Sequence, residues 1–274
     1  MVGFAIVGMG RAGQARVRAL DGHPDARCVA TVSRRAGDDL SAVLARSDVD
    51  AVVVCTENAD HPKTVRLALE AGKHVAVEFP LAPDASTTRS LYALAASQGR
   101  VLHTELIGQL TGSFRALRTV ADRAVGLEIA FEGGLYRWVA EEAAAGRHAV
   151  LATGRLHAAW SLAGPLTLES ASLDADTDGY RLEVRARGRF PVVLFEDRRI
   201  GARRGSRMVL LGSDGPLRPE PLPSEPLFRA DLDCFLGRIR GETEGYVSDR
   251  QVVEIAVLAD AIQARCLGQK VGNP

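Results

Sequence analysis

The 274-residue chain is 46% hydrophobic and 25% charged, with a formal net charge of zero. That is the make-up of an ordinary soluble globular protein, long enough for two domains and without a global pull toward nucleic acid or an anionic membrane. No apolar run approaches the ~20 residues of a membrane-spanning helix, the first residues lack the basic leader of a signal peptide, and the four cysteines have neither C-x-x-C nor metal-like spacing. The expectation is a cytoplasmic protein with reduced thiols, no metal site, and a monomeric or small homo-oligomeric state. Its lysines are only Lys63, Lys73 and Lys270, so anion recognition falls to the forked guanidinium of arginine.

In chain order, Phe4-Ala5-Ile6-Val7 is an apolar run that stops at Gly8-Met9-Gly10-Arg11-Ala12-Gly13. A helix-compatible segment follows over residues 14–20, then a second apolar run over 27–32 ending in Ser33-Arg34-Arg35. Strand, glycine turn, helix, strand is the unit that holds a dinucleotide. Gly8 permits the tight turn, Gly10 lets the backbone approach a pyrophosphate, and Gly13 lets helix and strand pack closely. The pyrophosphate then rests on unpaired N–H groups of Arg11, Ala12 and Gly13 at the positive helix end. An NAD site usually carries Asp or Glu at the end of the second strand, to accept from the ribose 2′-hydroxyl. Here a hydroxyl and two guanidiniums stand there instead, a set that suits a 2′-phosphate and favours NADPH over NADH; the alternative is a solvated surface arginine pair.

Further along, residues 38–46 read as a short helix, and Ala51-Val52-Val53-Val54-Cys55 as a central parallel strand covered on both faces. Its carboxyl end, Thr56-Glu57-Asn58, should open onto the cofactor. Residues 61–71 read as a helix, 74–77 as a strand, 84–98 as a helix capped by Asp84 or Ser86, and a strand begins at Val101-Leu102 ahead of a helix over 106–120. Strict β/α alternation predicts an α/β Rossmann domain with a parallel, doubly wound sheet over residues 1–122. From residue 123 the pattern changes. Strands are expected over 127–138, 168–174, 180–186, 190–196 and 207–211, interrupted by a helix over 147–163. A proline-rich connector over 217–226 and two helices, 227–240 and 249–267, complete an α+β C-terminal domain whose mostly antiparallel sheet is open on one face.

Several residues are candidates for chemistry. Glu78-Phe79-Pro80 ends a strand beside the expected nicotinamide position, where a proline, cis or trans, shapes the cofactor pocket. Glu78 and Glu105 are candidate acid–base groups, with a structural hydrogen-bond acceptor as the alternative for each. His103 is expected to be a hydrogen-bonded structural residue. His148 and His157, nine residues apart in one presumed helix, cannot form a metal pair. Arg155 sits among Val150, Leu151, Ala158, Trp160 and Leu162, where a guanidinium needs a partner. Either the guanidinium snorkels or pairs with an internal carboxylate, or it meets an anionic substrate or supplies a proton through an ordered water.

The glycine turn, the Glu-x-Pro at residues 78–80 and the ending Leu267-Gly268-Gln269-Lys270-Val271 resemble the glucose–fructose oxidoreductase and inositol dehydrogenase superfamily over essentially the whole chain. Those enzymes usually carry Glu-Lys-Pro, with an Asp and a His on a later helix; Phe79, Val150 and Gly154 stand at those places here, which disfavours sugar oxidation. The chain is similar to the biliverdin reductase branch at residues 7–13 with Arg16 and Arg18, at 32–35, at 71–80 with Phe79 for Tyr, at His103 and Glu105, and at Arg155-Leu156 ahead of Trp160-Ser161-Leu162. What the resemblance implies is hydride transfer from NADPH to the central methine carbon of a linear tetrapyrrole, giving bilirubin. Arg155 would bind a propionate or orient a donating water, and the open face of the second sheet would line the pyrrole plane. Catalytic roles are thus expected for Arg155, Glu78 and Glu105. Cofactor contacts are expected at Gly8, Gly10, Arg11, Ala12, Gly13, Ser33, Arg34, Arg35, Thr56, Glu57, Glu78 and Phe79. Another NADPH-dependent imine or carbonyl reductase of the superfamily, or a non-catalytic NADPH sensor, are the competing readings.

Overall fold

The structure, a computed structural model, describes residues 1–270; Val271 of the C-terminal motif lies outside them. In chain order the first half comprises β1 (Val2–Val7), α1 (Arg11–Leu20), β2 (Ala26–Val32), α2 (Leu40–Leu44), β3 (Ala51–Val54), α3 (His61–Glu70), β4 (His74–Val77), α4 (Ala85–Ser97) and β5 (Leu102–Thr104). The second half comprises α5 (Gly112–Val120), β6 (Gly126–Gly134), α6 (Arg137–Ala144), α7 (His148–Leu151), α8 (Thr153–Ala163), β7 (Thr167–Ala175), β8 (Gly179–Arg187), β9 (Pro191–Arg199), β10 (Gly205–Gly212) and β11 (Gly215–Pro216), then α9 (Leu227–Ile239) and α10 (Asp249–Lys270). Among the described residues no helix is long and apolar enough to cross a membrane, and no cluster of side chains could hold a metal ion.

The described residues divide into two compact units, residues 1–111 with 224–252, and residues 112–223 with the chain from 253 onward. The chain passes between the units three times, at 111/112, 223/224 and 252/253, where a single boundary near residue 122 is expected. Helix α9 belongs with the first unit, because its Leu232, Phe235 and Leu236 pack with Phe4, Ile6, Leu20, Val53 and Ala76.

In the first unit five parallel strands run in the order β2-β1-β3-β4-β5. The order reverses between β1 and β3, and ligands of such sheets bind outside the carboxyl ends of the strands at that reversal. Ala51, Val52, Val53 and Val54 are all buried, as a strand covered on both faces requires. The Asp84 side chain caps α4 by accepting from the Thr87 N–H at 2.7 Å.

In the second unit the order is β11-β10-β6-β9-β8-β7, antiparallel except for the parallel pair of β6 with β9. One face packs under α8 around Leu127, Ile129, Leu156, Leu162, Leu182 and Leu194. The other face carries exposed or half-buried ion pairs, Arg181 with Asp197, Arg185 with Glu183, and Arg199 with Asp197. Three expectations are corrected. The strand expected over 127–138 stops at Gly134, and Arg137 begins a helix; the helix expected over 106–120 breaks into a short 3-10 turn at Ile107–Leu110 and α5; and the one expected over 147–163 divides into α7 and α8 at Ala152. Strand and helix periods are both satisfied by short apolar runs, so packing decides where they end.

Candidate active site

The glycine turn is built by contacts that a side chain would destroy. Gly8 has φ +99° and a Cβ there would lie 2.4 Å from the Cys55 carbonyl oxygen, because β1 and β3 are adjacent at this point. A Cβ on Gly13 would lie 1.9 Å from the Gly8 carbonyl oxygen, so only glycine lets α1 leave the strand so closely. At Gly10 a Cβ would meet nothing within 4 Å, which leaves open space over the start of α1. Gly10 caps α1 without a side-chain hydrogen bond, so the first N–H groups of Arg11, Ala12 and Gly13 face that space. At the end of β3, Thr56 Oγ1 and Asn58 Nδ2 are buried with no hydrogen-bond partner. Unpartnered donors and acceptors at the end of β3, together with an open helix N-terminus, fit the polar edges of a dinucleotide.

Ser33, Arg34 and Arg35 sit where β2 ends. The Ser33 N–H donates to Asp38 Oδ2 at 2.8 Å, and Arg34 Nη1 donates to Asp60 Oδ2 at 3.0 Å with Glu57 Oε2 at 3.7 Å from Nη2. Carboxylates absent from the local sequence thus reach the guanidinium through the fold, Glu57 and Asp60 from the end of β3. Arg35 is exposed.

Beyond β4 the Phe79–Pro80 bond is cis, and Phe79 is 38% exposed. Glu78 Oε1 accepts from Arg16 Nε at 2.9 Å, and the same guanidinium pairs through Nη1 with Asp231 of α9. Asp231 Oδ1 further accepts from His103 Nε2 at 2.9 Å and from the Tyr246 hydroxyl at 2.5 Å. Although burial pushes Asp231 upward, His103 and Arg16 hold it well below the usual carboxylate range. His103 is buried and stacked on Phe235 at 5.4 Å. Glu105, at the end of β5, is buried and accepts from the Ile107 N–H at 2.8 Å. Burial, with Glu78 and Asp231 adding to it, raises its carboxyl to about 8.

Arg155 finds an internal carboxylate. Its Nε and Nη2 donate to Glu196 Oε2 at 3.0 and 2.5 Å, and Nη2 also donates to the Leu151 carbonyl one turn back. Glu196, fully buried on β9, takes Arg198 Nε at 2.8 Å and the Tyr180 hydroxyl at 3.3 Å on its other oxygen. The guanidiniums of Arg155 and Arg198 each lie 4.3 Å from the centroid of the Phe131 ring, and that of Arg204 lies 5.9 Å away. Two buried or nearly buried guanidiniums, a third exposed one and a single carboxylate make a net positive site around an aromatic face. This cluster is on the α8 side of the sheet. The open face, expected to serve the same substrate, is on the opposite side, since Glu196 and Arg198 alternate with Phe195, Asp197 and Arg199 along β9.

Sequence reading missed Asp231, Tyr246, Phe131, Glu196, Arg198 and Arg204, and gave Arg16 no role of its own. The signal for Arg16 was its place on the buried stripe of α1 with Gly13 and Leu20. Glu196 stands in phase with Val192 and Leu194 on the buried face of β9. A charge on a buried stripe demands a partner.

Residues 2–106 match the model of the oxidoreductase family described by its NAD-binding Rossmann fold. Biliverdin reductase A of Mus musculus is 31% identical over 96% of both chains, and that of Homo sapiens is 28% identical over 98% of this chain and 97% of its own. Biliverdin reductase from Synechocystis sp. PCC 6803, solved with biliverdin and NADP+, superposes with a TM-score of 0.81 at 20% identity, over 97% of this chain and 99% of that one. The chain belongs to this glucose–fructose oxidoreductase and inositol dehydrogenase family of oxidoreductases. It is an NAD(P)-dependent oxidoreductase, similar over nearly its full length to the biliverdin reductases.

Proposed function

We propose that the protein is an NADPH-dependent reductase of a linear tetrapyrrole, with biliverdin as acceptor and bilirubin as product. The observation that carries the reading is the guanidinium cluster of Arg155, Arg198 and Arg204 on Phe131, which suits a flat conjugated molecule with carboxylate side arms. Arg155 keeps its Nη1 edge outside its bonds to Glu196 and Leu151, and that edge is assigned to a propionate. The full-length likeness to biliverdin reductases supports the same substrate.

On the cofactor side, Gly8, Gly10, Arg11, Ala12 and Gly13 hold the pyrophosphate, and Ser33, Arg34 and Arg35 hold the 2′-phosphate. Thr56, Glu57, Glu78 and Phe79 border the rest of the molecule. Bound there, a nicotinamide supplies a hydride. Glu78, held by Arg16, shapes the pocket, while Glu105 holds a proton for the acceptor nitrogen. A conjugated acceptor spreads the negative charge it gains, so positioning matters more than a strong general acid.

The test is direct. Purified protein mixed with NADPH and biliverdin should lose the biliverdin absorption band and gain that of bilirubin. An unchanged pigment spectrum, with NADPH bound, would refute the substrate assignment.

A further inference from the structure

The polar cluster of the first unit sets three carboxyl groups around one guanidinium. Arg16, 4% exposed, divides itself between Glu78 and Asp231. Glu105, 2% exposed, receives only the Ile107 N–H among the described residues, and no side-chain cation is in ion-pair contact with it. Ionised, it would be a buried charge without a counterion beside two other carboxylates. Desolvation and like-charge repulsion both oppose that state.

We propose that Glu105 is the neutral carboxylic acid of this site, and that Arg16 and Asp231 are positioning residues that set its proton affinity in opposite directions. Asp231 places a fixed negative charge in the cluster, clamped by His103 and Tyr246. Arg16 bonds Glu78 at 2.9 Å, while its own positive charge favours ionisation of Glu105. The groups facing Glu105 are Glu78 from the end of β4, Asp231 from α9, Arg16 from α1, Tyr246 from the loop ahead of α10 and Cys55 from the end of β3. Burial, with Asp231 next, lifts the Tyr246 phenol, and burial, with Glu78 next, lifts the Cys55 thiol, so both stay neutral and add no charge. The balance left for Glu105 raises it to about 8, with burial, Glu78 and Asp231 acting upward and Arg16 downward.

The purpose of this arrangement rests on the reductase reading. Reducing a conjugated acceptor adds a hydride, with its two electrons, at carbon and one proton at nitrogen. A neutral carboxyl has that proton to give, becomes a carboxylate, and regains the proton from water; a carboxylate has none.

Infrared difference spectroscopy of the full chain, without any acceptor, tests the inference independently of the substrate. A carboxylic C=O stretch should be present at neutral pH, absent from Glu105→Gln, and should titrate away near pH 8. Asp231→Asn should lower the midpoint by about one unit or more, and Arg16→Gln should raise it by a similar amount. Glu78→Gln, at a carboxyl that is 18% exposed, should act with the sign of Asp231→Asn and serves where the buried variant does not accumulate. A missing Glu105 band at neutral pH, or Glu78→Gln or Asp231→Asn moving the midpoint the same way as Arg16→Gln, would overturn the proposal. The band present in a protein inactive toward biliverdin would uphold it and remove only the substrate assignment.

Discussion

Arg34 and Arg35 give the most discriminating test of the cofactor side, because their surroundings differ. A hydrogen bond to a charged group contributes about 1.5–3 kcal/mol, so Arg35→Ala should weaken NADPH by about 10- to 100-fold and leave NADH nearly unchanged. Arg34 begins from a different state, paired with Asp60 at 3.0 Å while its own side chain is 75% exposed. Such exposed pairs are held by only ~0.2–1 kcal/mol, so the guanidinium turns to a phosphate at small cost. Asp60→Asn removes both the competing partner and a carboxylate that repels the phosphate, and should tighten NADPH by up to about fivefold. Arg34→Ala removes the attraction and leaves Asp60 and Glu57 facing the ligand, so its loss should exceed that of Arg35→Ala. Fluorescence titrations with NADPH and NADH at low and high salt measure all three variants, and the differences should shrink as salt screens them. Equal losses for both cofactors, or weaker NADPH binding by Asp60→Asn, would refute the 2′-phosphate assignment.

Gly13→Ala puts a methyl 1.9 Å from the Gly8 carbonyl oxygen, and should cost about 1–3 kcal/mol in a denaturation midpoint and abolish cofactor binding. Gly10→Ala meets nothing within 4 Å, so its fold should persist while cofactor titration shows weaker binding. Arg155→Ala leaves buried Glu196 with Arg198 and Tyr180, so urea melts should show a loss of about 1–3 kcal/mol and turnover should fall severely at unchanged NADPH affinity; retained turnover would make Arg155 purely structural. Burial pushes His157 down to about 3 from its ordinary 6.5. Its folded value lies below the unfolded one, so its contribution is complete above pH 6.5 and is lost as the pH falls toward 3. His157→Gln should flatten that acid limb in melts taken across the same range.

The glycine turn was legible because its requirement is local. A tight turn, an open helix end and a close strand–helix contact each follow from a few consecutive residues, and Gly8, Gly10 and Gly13 occupy those places in the structure. The same holds for the buried strand of four consecutive residues at Ala51–Val54 and for the Asp84 cap. Element ends were less legible. The apolar residues beyond Gly134 fit a strand as well as a helix, and only packing placed Val139 of α6 in the core.

The site shows the same division. Sequence alone determined the family fold of the first half, the dinucleotide turn, the arginines at the end of β2 and the absence of the usual lysine at Phe79. Tertiary structure decided the partners. Arg16 meets Asp231 across 215 residues and Arg155 meets Glu196 across 41, while Glu57 and Asp60 reach Arg34 from another strand. The reason is electrostatic: a charged residue on a buried stripe announces that it needs a counterion, and the chain folds to supply it from wherever in the sequence the right carboxylate lies.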